Sequence, residues 1–384
     1  MIGISQLYLG LEEGGDATRP SPAAAAPAKT HTPVIVWNCT QRCNLKCADC
    51  YVSATERAGP KELTTRQAKA MIDDLAGMGA PMLVFSGGEP LLRADVVELV
   101  AHARGAGLQA VLSTNGTLIG LDLARRLAVA GLSQAAISLD GTGGVNDALR
   151  GVQGAFEAAM RGIRNCQAVG LKVGLRLTMD RRNVGQIAGI FDLARHERIW
   201  QVCFHHLVSV GREARLQDEM LTHDQARRAL DAIIDGAAAA HGVGQALQVF
   251  TADNHADGPY VYLRLLREKS PHAAAALKLL KAGGGDSSGS GVGCVSWNGD
   301  VLPDPFWRLQ VLGNVRERPF SEIWGEEAKG LLAKLRHRKK HLKCRCSQCR
   351  WMSACNGNSR ARAEAAGDAW GDDVACYLTD DEIK

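Results

Sequence analysis

The sequence has no long apolar run, no marked excess of either charge and no basic segment at its start. Without about 20 consecutive apolar residues, we expect no membrane-spanning helix. The opening, MIGISQLYLGLEEGG, lacks a basic stretch and reaches an acid at Glu12, so we expect no signal peptide. The formal net charge of +4 is too small to indicate nucleic acid, although it is compatible with an anionic small molecule.

Cysteine, in contrast, is plentiful, with 12 residues in a chain of 384. Without a secretory signal, this number predicts metal or redox chemistry in the reducing cytoplasm and not a disulfide framework. Hydrophobic residues make up 46% and charged residues 22%, as in ordinary globular proteins. The length is sufficient for a large barrel and a second domain.

The densest group of cysteines follows Val34–Trp37, a β-branched apolar segment that predicts a strand. Cys43, Cys47 and Cys50 have the spacing C-x3-C-x2-C. Three thiolates on one loop can bind an iron–sulfur cluster and leave one iron open, where a small molecule can bind. A structural zinc site and plain buried cysteines are the alternatives, but no second cysteine or histidine pair lies in this loop. Cys39 is a fourth thiol nearby, and its position in the predicted strand makes it a less suitable ligand.

Predicted strands alternate with amphipathic helices from Val34 to about Leu207. One helix is expected after a cap at Thr64 or Thr65, where apolar residues recur at helical spacing. The alternation predicts an α/β fold with right-handed crossovers and a parallel sheet, either open or closed as a barrel. The further strands are predicted at Pro81–Phe85, Leu108–Leu112, Ala135–Leu139, Leu171–Leu177 and Gln201–Leu207.

Polar groups follow the ends of several predicted strands. After the second strand comes Gly87–Pro90, in which glycines allow close backbone approach and the carboxylate can hold an ammonium group. Ser113–Gly116 follows the third strand, and Ser138 ends the fourth. Arg176, on the fifth, can hold a carboxylate or form a structural ion pair.

The cysteine loop, with Tyr51 directly after it, resembles the cluster loop of the radical S-adenosylmethionine (SAM) enzymes. The resemblance implies a partial (β/α)6 barrel of the TIM type with its active site at the C-terminal ends of the strands. It implies a [4Fe–4S] cluster on the three cysteines, with SAM on the open iron as the source of a 5′-deoxyadenosyl radical. Asp49 departs from the family, in which an aromatic residue commonly precedes the last cysteine. The implied SAM contacts are Tyr51, Gly87, Gly88, Glu89, Asn115, Ser138 and Arg176, with Glu89 on the amino group.

Histidine, arginine and aromatic residues farther along are candidates for binding substrate. His205 and His206 end the sixth predicted strand, and because side chains alternate, at most one is expected to point into the barrel. A polar loop interrupts the otherwise helical region 223–280, where a capped turn is the alternative to a substrate pocket. The predicted substrate contacts are His205, His206, Arg212, His255, Tyr260 and Trp307.

A second unit is predicted after Gly283–Gly293, which is interpreted as a flexible glycine and serine hinge. The predicted organisation is an N-terminal extension with a Pro/Ala-rich linker (1–32), the barrel with a helical extension (33–282) and a C-terminal domain (283–384). Val292–Pro303 predicts a hairpin that turns at Asn298-Gly299. The basic segment Lys334–Arg350 is expected to dock an electron donor, face substrate carboxylates or form a solvated helix face.

Four later cysteines, Cys346, Cys349, Cys355 and Cys376, are enough to close a cluster, with structural zinc as the alternative. Their arrangement resembles a SPASM or twitch-like auxiliary-cluster domain. A full SPASM domain holds two clusters, but Ser359 stands where a further cysteine is expected. One auxiliary [4Fe–4S] cluster is therefore implied, with no role assigned to Cys294 or Cys344.

Finer similarity lies in MIGIS, HHLV, DNHADG, LGNVRERPFSEIW and ACYLTDDEI, which resemble the tetrapyrrole-tailoring radical SAM enzymes. The didecarboxysiroheme deacetylases are most similar, which implies removal of acetate side chains from 12,18-didecarboxysiroheme to give Fe-coproporphyrin III in alternative haem biosynthesis. The alternatives are a haem d1 enzyme that replaces propionates by oxo groups, and a peptide-modifying SPASM maturase. The implied partners are the tetrapyrrole and a low-potential electron donor such as ferredoxin or flavodoxin, with neither nucleic acid nor membrane.

Overall fold

The computed structural model describes residues 1–11, 32–212, 216–326 and 330–384. All of its strands belong to one sheet of 11 strands. The strands are β1 (Ile2–Gly3), β2 (Val34–Asn38), β3 (Met82–Ser86), β4 (Gln109–Thr114), β5 (Gln134–Ser138), β6 (Val173–Met179), β7 (Gln201–His206), β8 (Gln248–Ala252), β9 (Val292–Val295), β10 (Asp300–Leu302) and β11 (Gly313–Asn314).

The helices cover the sheet and follow its strands in alternation. They are α1 (Ile4–Leu9), α2 (Thr65–Gly77), α3 (Val96–Gly105), α4 (Leu121–Val129), α5 (Gly144–Arg150), α6 (Ala155–Ala168), α7 (Ile187–His196), α8 (His223–Gly242), α9 (Asp257–Arg267), α10 (Ala273–Gly283), α11 (Phe320–Trp324), α12 (Gly330–Arg336), α13 (Cys344–Gln348), α14 (Met352–Cys355), α15 (Arg360–Ala365) and α16 (Asp380–Ile383). The predicted cap of α2 is confirmed, because Thr64 and Gln67 form a capping box. Within the described ranges, no helix is long and apolar enough to cross a bilayer.

The parallel part of the sheet runs in chain order from β2 to β8. Each predicted strand from β2 to β7 is present, with ends shifted by one or two residues. The structure adds β8, a seventh parallel strand that the sequence interpretation placed in a helical region. The segment QVFTA is only five residues long and lies between two helices, so the sequence gives little sign of a strand here. The result is the predicted partial barrel, whose strands all end on the side that carries the cysteine loop.

The first residues of the chain are an integral part of the fold. β1 pairs antiparallel with β8, and α1 lies against β8 and α8. Ile4 is fully buried, and the Ser5 hydroxyl donates to the carbonyl of Leu247 and accepts from the amide of Val249. The start of the predicted N-terminal extension is therefore docked on the barrel. The predicted linker falls on residues 12–31, outside the described residues.

The C-terminal domain continues the same sheet. β9 pairs parallel with β2, and β9 and β10 form the predicted hairpin, in which Gly299 has a φ of +89°. The interpretation of Gly283–Gly293 as a flexible hinge is wrong. The amide of Asp286 donates to the carbonyl of Cys355, and the amide of Gly289 donates to that of Pro303. These glycines bring the backbone close to neighbouring segments.

A substitution at Gly285 tests whether the segment Gly283–Gly293 is closely packed. Its φ is +77°, and an added Cβ would lie 2.2 Å from the carbonyl carbon of Cys355. Gly284 has a similar φ of +69° but open space around its Cβ position. Both alanine variants carry the backbone cost of about 1–2 kcal/mol, and Gly285→Ala adds a steric clash. We expect Gly285→Ala to lower the free energy of unfolding by at least about 1 kcal/mol more than Gly284→Ala.

Chemical denaturation of the anaerobic protein measures the difference between the two variants. Equal destabilisation would contradict the close packing of this segment.

Candidate active site

The cysteine loop after β2 is fixed by backbone contacts on several sides. The amide of Cys43 donates to the carbonyl of Thr55 at 2.7 Å, which closes the loop on itself. The amide of Lys46 donates to the carbonyl of Arg150, at the end of α5. The guanidinium of Arg308, from the C-terminal domain, donates to the carbonyl of Tyr51 at 3.0 Å. These contacts fix the shape of the loop.

Cys43, Cys47 and Cys50 line one cavity together, and each sulfur receives a hydrogen-bond donor. The donors are the Leu45 amide to Cys43 Sγ at 3.4 Å, the Ala54 amide to Cys50 Sγ at 3.3 Å and Arg150 to Cys47 Sγ at 3.7 Å. Such donors stabilise sulfur that carries negative charge, as in thiolates bound to iron. Burial raises the pKa of Cys43 to about 11 and that of Cys47 to about 12. The unligated thiols are therefore protonated at neutral pH, and a bound cluster must displace those protons. The donor set fits an iron–sulfur cluster.

Gly87 and Gly88 pack directly on the backbone of the cysteine loop. The amide of Gly88 donates to the carbonyl of Thr40, and an added Cβ on Gly88 would lie 2.2 Å from the carbonyl oxygen of Arg42. Gly87 has a φ of +130°, and its Cβ position lies 2.5 Å from the Thr40 carbonyl oxygen. The two glycines line the cavity and are required for the contact between two loops.

Glu89 lies behind the cavity wall and is fully buried. Its carboxylate accepts from the Leu91 amide, the Thr114 hydroxyl and the Asn115 amide at 2.8–3.1 Å. Burial raises the pKa of Glu89 to about 7, although the donors from Asn115 and Thr114 lower it. The carboxylate thus joins the loops after β3 and β4. Its contact with SAM stays a prediction.

The cavity has a volume of about 900 Å³, which includes its open mouth, and lies at the C-terminal ends of the parallel strands. Six of the seven predicted SAM contacts line it, namely Tyr51, Gly87, Gly88, Asn115, Ser138 and Arg176. The Tyr51 hydroxyl donates to Asn38 Oδ1 at 2.8 Å, which fixes the ring at the cavity wall.

Arg176 and His205 form a hydrogen-bonded pair at the cavity wall. Arg176 Nε donates to His205 Nε2 at 3.1 Å, and Arg176 Nη1 donates to the Ser113 hydroxyl at 2.6 Å. His205 Nδ1 lies 2.7 Å from Asp253 Oδ2. Burial lowers the pKa of His205, whereas the neighbouring Cys203 and Asp253 raise it. While Nε2 accepts from Arg176, the ring is neutral and its proton lies on Nδ1, towards Asp253. Asp253 was missed because it follows β8, the strand that the sequence interpretation overlooked.

Both histidines at the end of β7 lie at the cavity wall, but their rings have different partners. His205 is directed towards β6 and β8 through Arg176 and Asp253. His206 is directed towards α9, where its Nε2 lies 3.0 Å from Asp257 Oδ2. Which of the two faces a substrate stays a prediction.

Three other predicted substrate contacts lie away from the cavity, contrary to the sequence interpretation. Trp307 is buried against Leu335 and Ala361, with Nε1 donating to Glu364. The Tyr260 hydroxyl donates to Asp231 Oδ2 on α8. His255 is buried beside Asp286, and burial lowers its pKa to about 4, so it is neutral at physiological pH.

Arg212 does line the cavity, but its guanidinium serves the cysteine loop. Nε donates to the carbonyl of Cys47 at 3.0 Å and Nη1 to that of Ala54 at 2.7 Å. Phe306, directly before Trp307, is the aromatic residue of the C-terminal domain that lines the cavity. Its ring centroid lies 5.3 Å from that of Tyr51. The sequence pair Phe306-Trp307 indicated an aromatic residue at the cavity. Only the packing of the folded chain shows that Phe306 faces the cavity and Trp307 the core.

The four C-terminal cysteines, Cys346, Cys349, Cys355 and Cys376, lie close together. Burial raises the pKa of Cys355 far above that of an ordinary thiol, and the other three sulfurs raise it further by their proximity. Asp372 accepts from the Cys346 amide at 3.1 Å, and the carbonyl of Asp373 accepts from the Cys376 amide at 2.9 Å. These thiols form a second candidate cluster site. Across the described ranges, no three His, Cys, Asp or Glu side chains are arranged to hold a single metal ion.

Comparison with known families gives two matches. Residues 37–194 match the model of the radical SAM superfamily, and residues 288–350 match the SPASM model, described as an iron–sulfur cluster-binding domain. The first match contains the cysteine loop, the glycine turn and β2 to β6. The second begins before β9 and contains the first two cysteines of the C-terminal group.

Relatives match along the whole chain. An Fe-coproporphyrin III synthase from Methanosarcina barkeri is 49% identical over 100% of this chain and 99% of its own. A pre-heme d1 synthase from Dinoroseobacter shibae is 41% identical over 94% of this chain and 89% of its own. The crystal structure of Streptococcus suis SuiB bound to precursor peptide SuiA has a TM-score of 0.71 and 18% identity, covering 90% of this chain and 76% of SuiB. This last similarity concerns the fold alone.

Glu89 gives a testable prediction about the cavity wall. Glu89→Ala leaves three donors without their acceptor, so the loops after β3 and β4 lose their connection. We expect SAM affinity to fall at least tenfold, in line with hydrogen bonds to a charged group, while iron content is unchanged. Glu89→Gln retains one acceptor oxygen, so its SAM affinity should lie between those of the wild type and Glu89→Ala.

Isothermal titration with SAM and iron analysis of the anaerobic protein measure both effects. Glu98→Gln, on the exposed side of α3, is the control. Affinity like that of the wild type in Glu89→Ala would count against this role.

Proposed function

The chain belongs to the radical SAM superfamily, and from this membership we propose that it removes the acetate side chains of 12,18-didecarboxysiroheme to give Fe-coproporphyrin III. The observation that carries the proposal is the 49% identity with an Fe-coproporphyrin III synthase over essentially the full length of both chains. Such similarity extends beyond the cofactor loops into the C-terminal domain and the N-terminal strand.

The haem d1 reaction, in which oxo groups replace propionates, is the second candidate. It is supported by the 41% identity with a pre-heme d1 synthase, over a smaller part of that chain. A peptide maturase has weaker support, because a mycofactocin maturase from Mycobacterium tuberculosis is 41% identical over only 42% of this chain. Among the arginines that line the cavity, Arg176 can hold an anionic group, whereas Arg150 pairs with Asp140 and Arg212 holds the cysteine loop.

Each wall of the cavity has a distinct task in this proposal. A [4Fe–4S] cluster on Cys43, Cys47 and Cys50 with bound SAM supplies a 5′-deoxyadenosyl radical for hydrogen abstraction. The glycine turn and Asn115 hold the SAM side of the cavity. Tyr51, fixed through its hydroxyl, lies between this side and the C-terminal domain.

The substrate side combines cations with an aromatic surface. Arg176 lies at the cavity wall beside His205, where its guanidinium can hold a carboxylate side chain of the tetrapyrrole. Asp253 fixes the orientation of His205 through the 2.7 Å contact to Nδ1. Phe306 offers a ring against which the macrocycle can pack. Arg212 acts on the substrate only indirectly, by holding the cysteine loop.

The C-terminal domain carries the second cofactor in this proposal. One auxiliary [4Fe–4S] cluster is held by Cys346, Cys349, Cys355 and Cys376. A low-potential ferredoxin or flavodoxin delivers electrons. The proposed boundary between barrel (33–282) and auxiliary domain (283–384), after the N-terminal segment (1–32), is supported by the two family matches on either side of it. Twelve free thiols support a reducing, cytoplasmic location.

An anaerobic assay with 12,18-didecarboxysiroheme, SAM and dithionite tests the reaction. We expect a product with the mass and retention of authentic Fe-coproporphyrin III, together with 5′-deoxyadenosine. The variant in which Cys43, Cys47 and Cys50 are all alanine, hereafter the barrel-cysteine variant, should form neither and should retain about four irons.

A product with oxo groups would favour the haem d1 candidate. An unchanged tetrapyrrole would contradict both tetrapyrrole reactions.

Phe306 tests the substrate side separately from SAM. Phe306→Ala removes aromatic surface from the cavity, so affinity for 12,18-didecarboxysiroheme should fall about tenfold, corresponding to the burial of part of one ring. SAM cleavage without substrate should fall much less than this affinity, because the ring contacts the cysteine loop only through Tyr51. Leu309→Ala is the matched control, since Leu309 is in the same loop and 87% exposed.

Absorbance titration of the tetrapyrrole measures the affinity. Equal effects of Phe306→Ala and Leu309→Ala would contradict the assignment.

A further inference from the structure

The segment Lys334–Arg350 is the most basic part of the chain. It holds eight Lys and Arg residues and no Asp or Glu. Among the described residues, four carboxylates from elsewhere contact it, namely Asp286, Asp368, Asp372 and Asp380. Positive charge therefore remains on this surface after its ion pairs are counted.

Two of the basic side chains are internal and shape the segment. Arg338 is buried and donates to the carbonyls of Leu335 and Ser288 at 3.0 and 2.6 Å, besides its pair with Asp286. Arg336 Nη2 donates to the carbonyl of Trp324 at 2.7 Å. These contacts fix the turn at 338–340.

The fixed turn presents lysines to solvent. Lys339 and Lys340 are exposed and have no ion-pair partner among the described residues, and Lys343 is exposed with Asp368 as its partner. We call Lys339, Lys340 and Lys343 the basic surface. Arg338 fixes the backbone from which Lys339 and Lys340 extend, so these positive charges lie side by side on one exposed turn.

The basic surface lies beside the C-terminal thiols. Arg338 Nη1 approaches the carbonyl of Asn356, next to Cys355, at 3.4 Å. Leu342 packs its side chain on Gly357. Lys343 directly precedes α13, which contains Cys346. A partner bound to these lysines would therefore lie close to the auxiliary cluster.

The auxiliary site is also near the protein surface. Cys346 and Cys349 are half-buried, and Ser347 and Gln348 between them are exposed. No residue of the basic surface lines the barrel cavity, so these lysines do not face the proposed substrate there. Of an electron donor, substrate carboxylates and plain solvent, an acidic electron donor best matches the positive charge of this surface and its position beside the C-terminal cysteines.

We propose that the basic surface docks a small acidic electron carrier, such as flavodoxin, which reduces the auxiliary cluster directly. One electron leaves the reduced carrier and converts one ferric equivalent of the cluster to ferrous, while the carrier is oxidised by one electron. Opposite charge accelerates such an encounter and makes it sensitive to salt. The inference rests on the proposed function in that both require an auxiliary cluster at the four C-terminal thiols.

The barrel-cysteine variant isolates this step, because it retains only the auxiliary site. Reduced flavodoxin is mixed with it in a stopped-flow instrument at low ionic strength, and bleaching of the cluster absorbance is followed. Adding Lys339→Glu and Lys340→Glu should lower the second-order rate constant at least tenfold and flatten its salt dependence. Arg125→Glu with Arg126→Glu is the control, since both arginines are exposed on α4. It should stay within about twofold.

An unchanged rate, an equal fall in the control or a site without iron would overturn the proposal. So would a loss of tetrapyrrole affinity in the Lys339→Glu/Lys340→Glu variant, which would instead assign these lysines to substrate. Turnover driven by dithionite separates the two hypotheses. If wild-type protein forms no Fe-coproporphyrin III with dithionite, the proposed reaction fails, while the docking measurement in the barrel-cysteine variant remains interpretable.

Discussion

The candidate active site depends on a backbone-to-backbone contact between the cysteine loop and the turn after β3. Gly88 donates to the Thr40 carbonyl, and any side chain on Gly88 would meet the Arg42 carbonyl. Two arginines complete the support, Arg212 from the barrel and Arg308 from the C-terminal domain, both through carbonyls of the loop. On the cysteine loop, main-chain atoms make all of these contacts, so its shape depends little on the identity of its own side chains.

The two cluster sites are held in one body by buried charge. Arg362 pairs with Asp373 through two bonds of 2.7 and 2.8 Å, and its remaining donors reach the carbonyls of Leu207 and Asp253. A buried ion pair is favourable only when its donors and acceptors are satisfied, as they are here. The pair connects the loop that carries Cys376 with the ends of β7 and β8.

Local patterns predicted the strands and the cofactor loops well and the substrate contacts poorly. The cysteine loop and the glycine turn are each a short continuous segment, so each can be identified from its own sequence. Trp307 and Phe306 are neighbours with similar chemistry, and only the core around Leu335 decides which one faces the cavity. His255 looked like a cation for an anionic substrate, but burial beside Asp286 keeps it neutral.

By itself the sequence determined the parallel α/β architecture, the family and the three thiols of the cysteine loop, because alternation and cysteine spacing are properties of the chain read in order. Only the tertiary structure decided that β8 extends the parallel sheet beyond β7 and brings Asp253 to His205. The tertiary structure also shows that Gly283–Gly293, predicted as a hinge, is packed backbone, and that Arg212 binds the cysteine loop. These contacts join segments far apart in the chain, and their partners are selected by burial and hydrogen bonding that no local pattern encodes.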